Sequence, residues 1–154
     1  MKMSPQYTKA QANMQPGVIT SDGFLGDDHR NIVDIIEADE EKFSQLGLDF
    51  DDAVLRLRHL MEEGRKGLGE PVTVDGRWVV TTSEARGHLA SPFEDGIFRK
   101  INVRIEHAPD GKPSGAELLV TDLSLHLLET HHFLQGKGSP FRIEPDKLKT
   151  VLEL

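Results

Sequence analysis

The sequence predicts an α+β domain, in which helices are segregated from an antiparallel sheet. Two patterns carry this prediction. Apolar residues recur about every 3.6 residues between positions 32 and 61, and segments between positions 72 and 120 have the character of strands. A helical pattern then returns near the C-terminus. The predicted architecture is an N-terminal antiparallel helical hairpin, a four-stranded antiparallel sheet and two C-terminal helices.

The composition of residues 1–22 predicts a flexible tail that precedes the domain. This segment is rich in glutamine and small polar residues and has few bulky apolar side chains. The burial of so few apolar groups does not offset the entropic cost of ordering a backbone. We therefore expect one α+β domain at residues 23–154.

Two amphipathic helices are predicted at the start of that domain. Gly47 is expected to end the first helix, and Asp49 to cap the second by accepting a hydrogen bond from a free backbone N–H. Because only two or three residues separate the helices, we expect them to pack antiparallel. Their apolar faces are formed by Ile32, Ile35, Ile36, Phe43 and Leu46 and by Phe50, Ala53, Val54, Leu57, Leu60 and Met61.

Four strands are predicted after the helices. They are expected at residues 72–74, 77–82, 101–106 and 118–120. Asp75 and Gly76 predict a two-residue hairpin turn between the first two strands, since such a turn requires positive φ. Residues 83–99 are expected to be a long connecting loop, and loops of that length often carry function.

Two helices are predicted after the sheet. Asp122 or Ser124 is expected to cap a helix that runs to about Phe133 and is apolar on nearly every side. Such a helix should pack beneath the sheet. Pro145 stands at the first turn of a terminal helix that reaches residue 154, where the missing N–H of proline is tolerated.

The composition excludes several classes of function. The 154 residues contain 26 acidic and 18 basic side chains, a net charge of −8, and no cysteine. An acidic chain lacks the general electrostatic footprint of a nucleic-acid-binding protein, and without cysteine there are no thiol nucleophiles or cysteine-based metal sites. No apolar run or signal segment suggests a membrane, so we expect a cytoplasmic protein.

A binding or regulatory module is the function that the predicted loops favour. Two glycines surround Lys137, and Ser139 and Arg142 follow, a pattern that can form a backbone nest for a carboxylate or phosphate. Arg86 and His88 in the long loop add a cation and an imidazole. We expect these five residues to hold an anionic small molecule or an acidic peptide.

A metal-assisted hydrolase or lyase is the alternative function. His126, Glu129 and His132 lie at successive steps of three residues, and neighbours at that spacing share a helix face. The three directions drift by about 120° in total, so we expect these residues to line one side of a pocket, with His88 contributing from the long loop. A divalent ion such as zinc is the cofactor that such a set would hold.

A homo-oligomeric assembly protein is the third alternative. The predicted helical hairpin, or an exposed Trp78, would form the interface of a homodimer. The three functions remain alternatives at this stage.

Overall fold

The computed structural model describes residues 3–154. Within this range the chain forms five α-helices and one four-stranded antiparallel sheet, which confirms the predicted α+β class. The helices are α1 (Pro5–Asn13), α2 (Ile32–Leu46), α3 (Phe50–Arg65), α4 (Asp122–His131) and α5 (Pro145–Leu152). The strands are β1 (Val72–Val74), β2 (Trp78–Ala90), β3 (Ile97–His107) and β4 (Glu117–Thr121). None of the helices described here has the length and apolar character needed to cross a bilayer.

Three residues separate α2 from α3, as predicted, but the two helices do not pack along one another as the expected antiparallel hairpin. Gly47 ends α2 with a φ of 70°, a left-handed conformation that glycine adopts readily. Asp49 caps α3, because its carboxylate accepts a hydrogen bond from the Asp52 N–H at 3.1 Å. The two helices bury their apolar faces against different neighbours, since α2 packs on α1 and α5 whereas α3 packs on the sheet and α4.

The strands lie in the order β1-β2-β3-β4, and each neighbouring pair is antiparallel as predicted. The turn between β1 and β2 differs from the prediction by one residue. Asp75 and Gly76 have the expected positive φ, at 54° and 69°, but Arg77 also belongs to the turn. The Arg77 N–H donates to the Val74 carbonyl at 3.0 Å, so Trp78 is the first residue to pair with β1.

The expected long loop at residues 83–99 is instead a two-stranded ribbon. Strands β2 and β3 extend through it and leave a short turn at residues 91–96. A β-bulge between Ala85 and His88 interrupts the register, with Gly87 at a φ of 93°. Residues 83–88 of β2 are exposed in succession, so this part of the sequence lacks the apolar alternation that marks a half-buried strand.

The apolar side chains form two clusters. The main core lies between the sheet and helices α3 and α5, and the second core joins α1, α2 and the turn at residues 91–96. Helix α4 lies between them, because Leu125 and Leu128 belong to the main core whereas Leu123 and Leu127 belong to the second. This position explains why the helix is apolar on nearly every side.

Trp78 is buried in the main core rather than exposed. Its side chain is 3% exposed, and the indole N–H donates to the Val151 carbonyl at 2.6 Å. The terminal helix α5 therefore covers the ring, and Trp78 is not available as an anchor for a homodimer interface.

Helix α1 lies where the sequence suggested a flexible tail. Ala10 and Met14 are buried in the second core, and the Asn13 amide donates to a backbone carbonyl of the turn between β2 and β3 at 2.9 Å. A few well-placed apolar and amide groups thus order the segment, which a count of bulky apolar residues does not reveal. The expected tail also included residues 1–2, which lie outside the described residues.

The two C-terminal helices begin with different N-terminal signals. Thr121 caps α4, rather than Asp122 or Ser124. Its hydroxyl accepts from the Ser124 N–H at 2.9 Å, and the Ser124 hydroxyl accepts from the Thr121 N–H at 2.7 Å, a reciprocal capping box. Helix α5 begins at Pro145, as predicted.

Replacing Met14 by alanine tests whether α1 is docked. Met14 is fully buried, so we expect Met14→Ala to lower the free energy of unfolding by about 2–4 kcal/mol, measured by urea denaturation. Val18→Ala is the control, because Val18 is 56% exposed in the same segment and its truncation should change stability by less than about 0.5 kcal/mol. Equal, small effects for both variants would indicate an undocked tail.

Candidate functional site

Helix α4 carries three of its polar side chains on the side that faces away from both cores. Its leucines are buried, whereas Glu129 and Thr130 are exposed and His126 is partly exposed. The helix ends at His131, and His132 follows in a left-handed conformation with a φ of 52°. The C-terminal half of α4 therefore concentrates imidazole groups at one edge of the fold.

The turn between β2 and β3 brings a carboxylate to this part of α4. The Ser91 N–H donates to the Gly96 carbonyl at 2.9 Å and closes the turn. The ring of Phe93 is buried and stacks on the ring of His131, with centroids 3.7 Å apart and planes 9° apart. Asp95, two residues after Phe93, is thereby held against the helix.

Asp95 bonds to two histidines through a single carboxylate oxygen. Its Oδ2 lies 2.9 Å from Nε2 of His126 and 2.7 Å from Nε2 of His131. The three ligand atoms all lie within 4.8 Å of one another. The two imidazole side chains are 15% and 17% exposed, so the site is sheltered yet open to solvent. We call Asp95, His126 and His131 the Asp–His–His cluster.

The cluster holds the Asp95 carboxyl in its ionised form. Burial alone would raise the pKa of this group, but hydrogen bonds with Ser91, His131 and His126 outweigh burial and lower the pKa from 3.8 to about 2. An ionised carboxylate only accepts hydrogen bonds. Both imidazoles therefore present an Nε2–H to Asp95 when no other cation lies between them.

Neighbouring side chains orient the His126 ring. Phe98 stacks on it, with centroids 4.4 Å apart, and the Thr130 hydroxyl lies 3.3 Å from Nδ1. In metal sites the second nitrogen of a ligating histidine usually bonds to such a partner, which sets the tautomer and the ring orientation. His126 thus has an outer partner of the type that a metal ligand requires.

The cluster has the ligand types and spacing that suit a divalent transition metal. Zinc is bound by imidazole nitrogen and carboxylate oxygen at about 2.0–2.1 Å, which places neighbouring ligand atoms of a tetrahedral site about 3.4 Å apart. The separations between Asp95 Oδ2 and the two Nε2 atoms, 2.9 and 2.7 Å, are about 0.5 and 0.7 Å shorter. Small side-chain rotations, with loss of the Nε2 protons, would admit an ion and leave a fourth position open.

The predicted metal set of His126, Glu129 and His132 does not come together. Glu129 Oε1 accepts a hydrogen bond from Arg58 at 3.0 Å, and His132 Nδ1 lies 2.7 Å from Glu40 Oε2. Only His126 belongs to the cluster. Angular drift along the helix separates the three directions, and His132 lies beyond the last helical residue.

Sequence reasoning missed Asp95 and His131 as possible ligands. His131 follows His126 by five residues, a spacing that does not predict a shared helix face, and Asp95 lies in an acidic turn next to Gly96. The sequence feature that could have pointed to this site is the pair of aromatic residues around the turn. Phe93 and Phe98 each stack on one of the two imidazoles.

The strongest predicted anion-binding residue is already paired inside the protein. Arg142 donates two hydrogen bonds to the Asp39 carboxylate, at 2.6 and 2.8 Å, and both side chains are less than a tenth exposed. Burial lowers the pKa of the Arg142 guanidinium, but the hydrogen bonds and charge of Asp39 outweigh burial and raise that pKa above its ordinary value. The Ser139 hydroxyl is also buried and donates to Gln135 Oε1 at 2.6 Å.

The remaining predicted anion-binding residues lie on the surface. Arg86 and His88 flank Gly87 at the bulge of β2, and Lys137 is exposed in the loop after α4. Because Arg142 and Ser139 bond to groups within the protein, the five residues do not act together as the predicted anion site. His88, whose backbone pairs with Arg99 in the ribbon, is not among the three residues of the Asp–His–His cluster.

Comparison of the chain with protein-family models, with curated proteins and with solved structures finds no match. Functional inference for this protein therefore begins from its site geometry.

Breaking the buried ion pair tests whether Arg142 is a structural residue. We expect Arg142→Met to lower the free energy of unfolding by about 3–5 kcal/mol in urea denaturation, because the Asp39 charge is left buried without a partner. Adding Asp39→Leu should restore a large part of the loss. Lys42→Met removes a more exposed ion pair with Asp146 and should cost less than about 1 kcal/mol. A loss no larger for Arg142→Met than for this control would leave Arg142 free for a ligand.

The pH dependence of stability tests the charge on Asp95. Because folding depresses its pKa, the ionised group stabilises the fold above about pH 4, and this stabilisation is lost as the pH falls towards 2. With a chelator present, Asp95→Asn should be less stable than the wild type by about 1–2 kcal/mol at neutral pH, after allowance for partial solvent screening. That difference should shrink towards zero in acid, and a difference independent of pH contradicts the assignment.

Proposed function

We propose that the protein binds one divalent transition-metal ion, with zinc as the first choice, at the Asp–His–His cluster. The observation that supports this most directly is the approach of two imidazole Nε2 atoms to one carboxylate oxygen, at 2.9 and 2.7 Å. Two nitrogen ligands and one oxygen ligand on three rigidly held side chains are the donor set of many catalytic zinc sites.

The proposed activity is metal-assisted hydrolysis or a lyase reaction. Three protein ligands leave a coordination position for water or substrate, and an ion in such a site lowers the pKa of bound water to about 7. In this chain, Phe93 and Phe98 hold the two imidazole planes, and Thr130 holds Nδ1 of His126. These contacts would preorganise the ligands before an ion binds.

A cavity beside the cluster offers room for a substrate. It has a volume of about 370 Å³ and is lined by His131 and Thr130 from the helix side and by Tyr7, Glu37 and Glu40 from α1 and α2. A volume of this size falls within the range of small-molecule sites. Because α1 supplies one wall of this cavity, the proposed activity would depend on the docking of α1.

The competing role of the cluster is purely structural. Two hydrogen bonds from histidines to Asp95 would by themselves fasten the turn between β2 and β3 to α4. A structural cluster binds no metal, however, and its loss lowers stability equally with and without metal. The two roles are therefore separable by measuring binding directly.

Calorimetric titration of zinc into metal-free protein without a histidine tag tests the proposal. We expect one ion per chain, and we expect affinity to fall by at least about 100-fold in His126→Ala, His131→Ala and Asp95→Ala. His59→Ala is a matched control, because His59 Nε2 lies 3.1 Å from Asp75 in an isolated, exposed histidine–aspartate pair.

Zinc should also raise the melting temperature of the wild type and of the His59→Ala control, and not that of the cluster variants. Absence of stoichiometric binding, or equal binding by the cluster variants and the control, would overturn the proposal. Hydrolysis of a p-nitrophenyl ester that depends on zinc and is lost in the same variants would extend metal binding to catalysis.

A further inference from the structure

Two adjoining cavities lie between the β2–β3 ribbon and the segment that precedes α2. Their volumes are about 220 and 420 Å³, and they share Leu89, Asn102, Thr121, Leu123 and Phe141 among their lining residues. We call this continuous space the groove. None of the three residues of the Asp–His–His cluster lines it, so a ligand there would be independent of the metal.

The inner end of the groove is mainly apolar. Phe24 and Leu123 form its floor and are 4% and 3% exposed, and the half-buried Leu89 and Phe141 form its sides. These side chains would lose further contact with water if a hydrocarbon chain lay between them, and that loss is favourable in proportion to the apolar area buried.

The outer end of the groove is polar and carries a free cation. Lys100 lines this end and is exposed, and within residues 3–154 its ammonium group has no ion-pair or hydrogen-bond partner. Asn102 lies two residues along the same strand, so both side chains point to the same face of the sheet about 7 Å apart. A carboxylate that lies between them can accept hydrogen bonds from both groups.

Of the two cations that line the outer end of the groove in the described part of the chain, Lys100 is the unpaired one. Arg99 also lines this end, and its guanidinium lies 3.3 Å from Glu84. Ala85 pairs with Lys100 across the ribbon, and the end of the Lys100 side chain lies beside Gly87, where a β-carbon would stand 3.9 Å from the ammonium nitrogen. The exposed Asp22 lines the inner cavity and not the outer one, so the mainly apolar inner end also carries one carboxylate.

From this arrangement we infer that the groove binds a medium-chain carboxylate, with its hydrocarbon chain on Phe24 and Leu123 and its carboxylate between Lys100 and Asn102. The ligand class follows from the pairing of an apolar inner end with an unpartnered ammonium at the outer end. A short, fully polar anion would gain no binding free energy from the apolar floor of the groove. An uncharged alcohol would gain little binding free energy from Lys100.

Calorimetric titration with carboxylates of increasing chain length, below their micelle concentrations, tests the inference. We expect no measurable binding of acetate, and about tenfold tighter binding of decanoate than of octanoate, because two further methylenes are buried. Decanol should bind at least about tenfold more weakly than decanoate, since it lacks the charge that Lys100 recognises. Equal affinities for decanoate and decanol would overturn the inference.

Variants locate the site. Lys100→Gln should weaken decanoate binding about tenfold, whereas Lys112→Gln, at an exposed lysine outside the groove, should leave it unchanged. Leu89→Asp should abolish decanoate binding while the far-UV circular dichroism spectrum and a cooperative melting transition persist, which verifies that this variant is folded. Decanoate binding that survives both groove variants contradicts the proposed site.

Vesicles containing an anionic phospholipid distinguish a free carboxylate from a membrane surface. Sedimentation of the protein with such vesicles, combined with no binding of free decanoate, would overturn the inference in favour of surface attachment. Binding of decanoate without sedimentation supports a groove for a free, single-chain anion.

Discussion

One carboxylate oxygen that accepts from two imidazoles is the constraint on which the candidate site depends. Asp95 lies at the tip of a ribbon that extends beyond the rest of the sheet, and the two histidines lie on a helix between two cores. Asp95 reaches the two histidines because the ribbon bends at its bulge and Ser91 closes the turn. Stacking of Phe93 on His131 then joins the apolar packing of the turn to the polar geometry of the cluster.

The distribution of charge explains which residues are free to bind ligands. The chain is strongly acidic, yet its buried cation, Arg142, is neutralised inside the fold by Asp39. A buried ion pair of this kind adds little net stability because desolvation of both charges is costly, but removal of one partner leaves the other charge buried and unpaired. The cations that remain available are exposed, and Lys100 differs from most of them in lying beside an apolar groove. Local surroundings, rather than the net charge, therefore decide where an anion would bind.

Most of the fold is predictable from the sequence because its signals are local. The cap at Asp49, the proline that begins α5, the left-handed Gly47 and the apolar repeat of α3 each depend on neighbouring residues. The site is less predictable because its partners are distant in the chain: Asp95 and His126 are 31 positions apart, and Arg142 and Asp39 are 103 apart. The ribbon and α1 are also hard to predict from the sequence. Exposed strands lack the alternation of apolar and polar residues, and a short helix can dock through only two buried side chains.

The position of a bound ion tests the metal proposal most directly. Crystals grown with zinc and measured at the zinc absorption edge should show one strong anomalous peak, about 2.0–2.1 Å from Nε2 of His126 and of His131 and from a carboxylate oxygen of Asp95. A map with no peak among these three side chains, or with its strongest peak at another histidine such as His59, would contradict a metal site in this cluster.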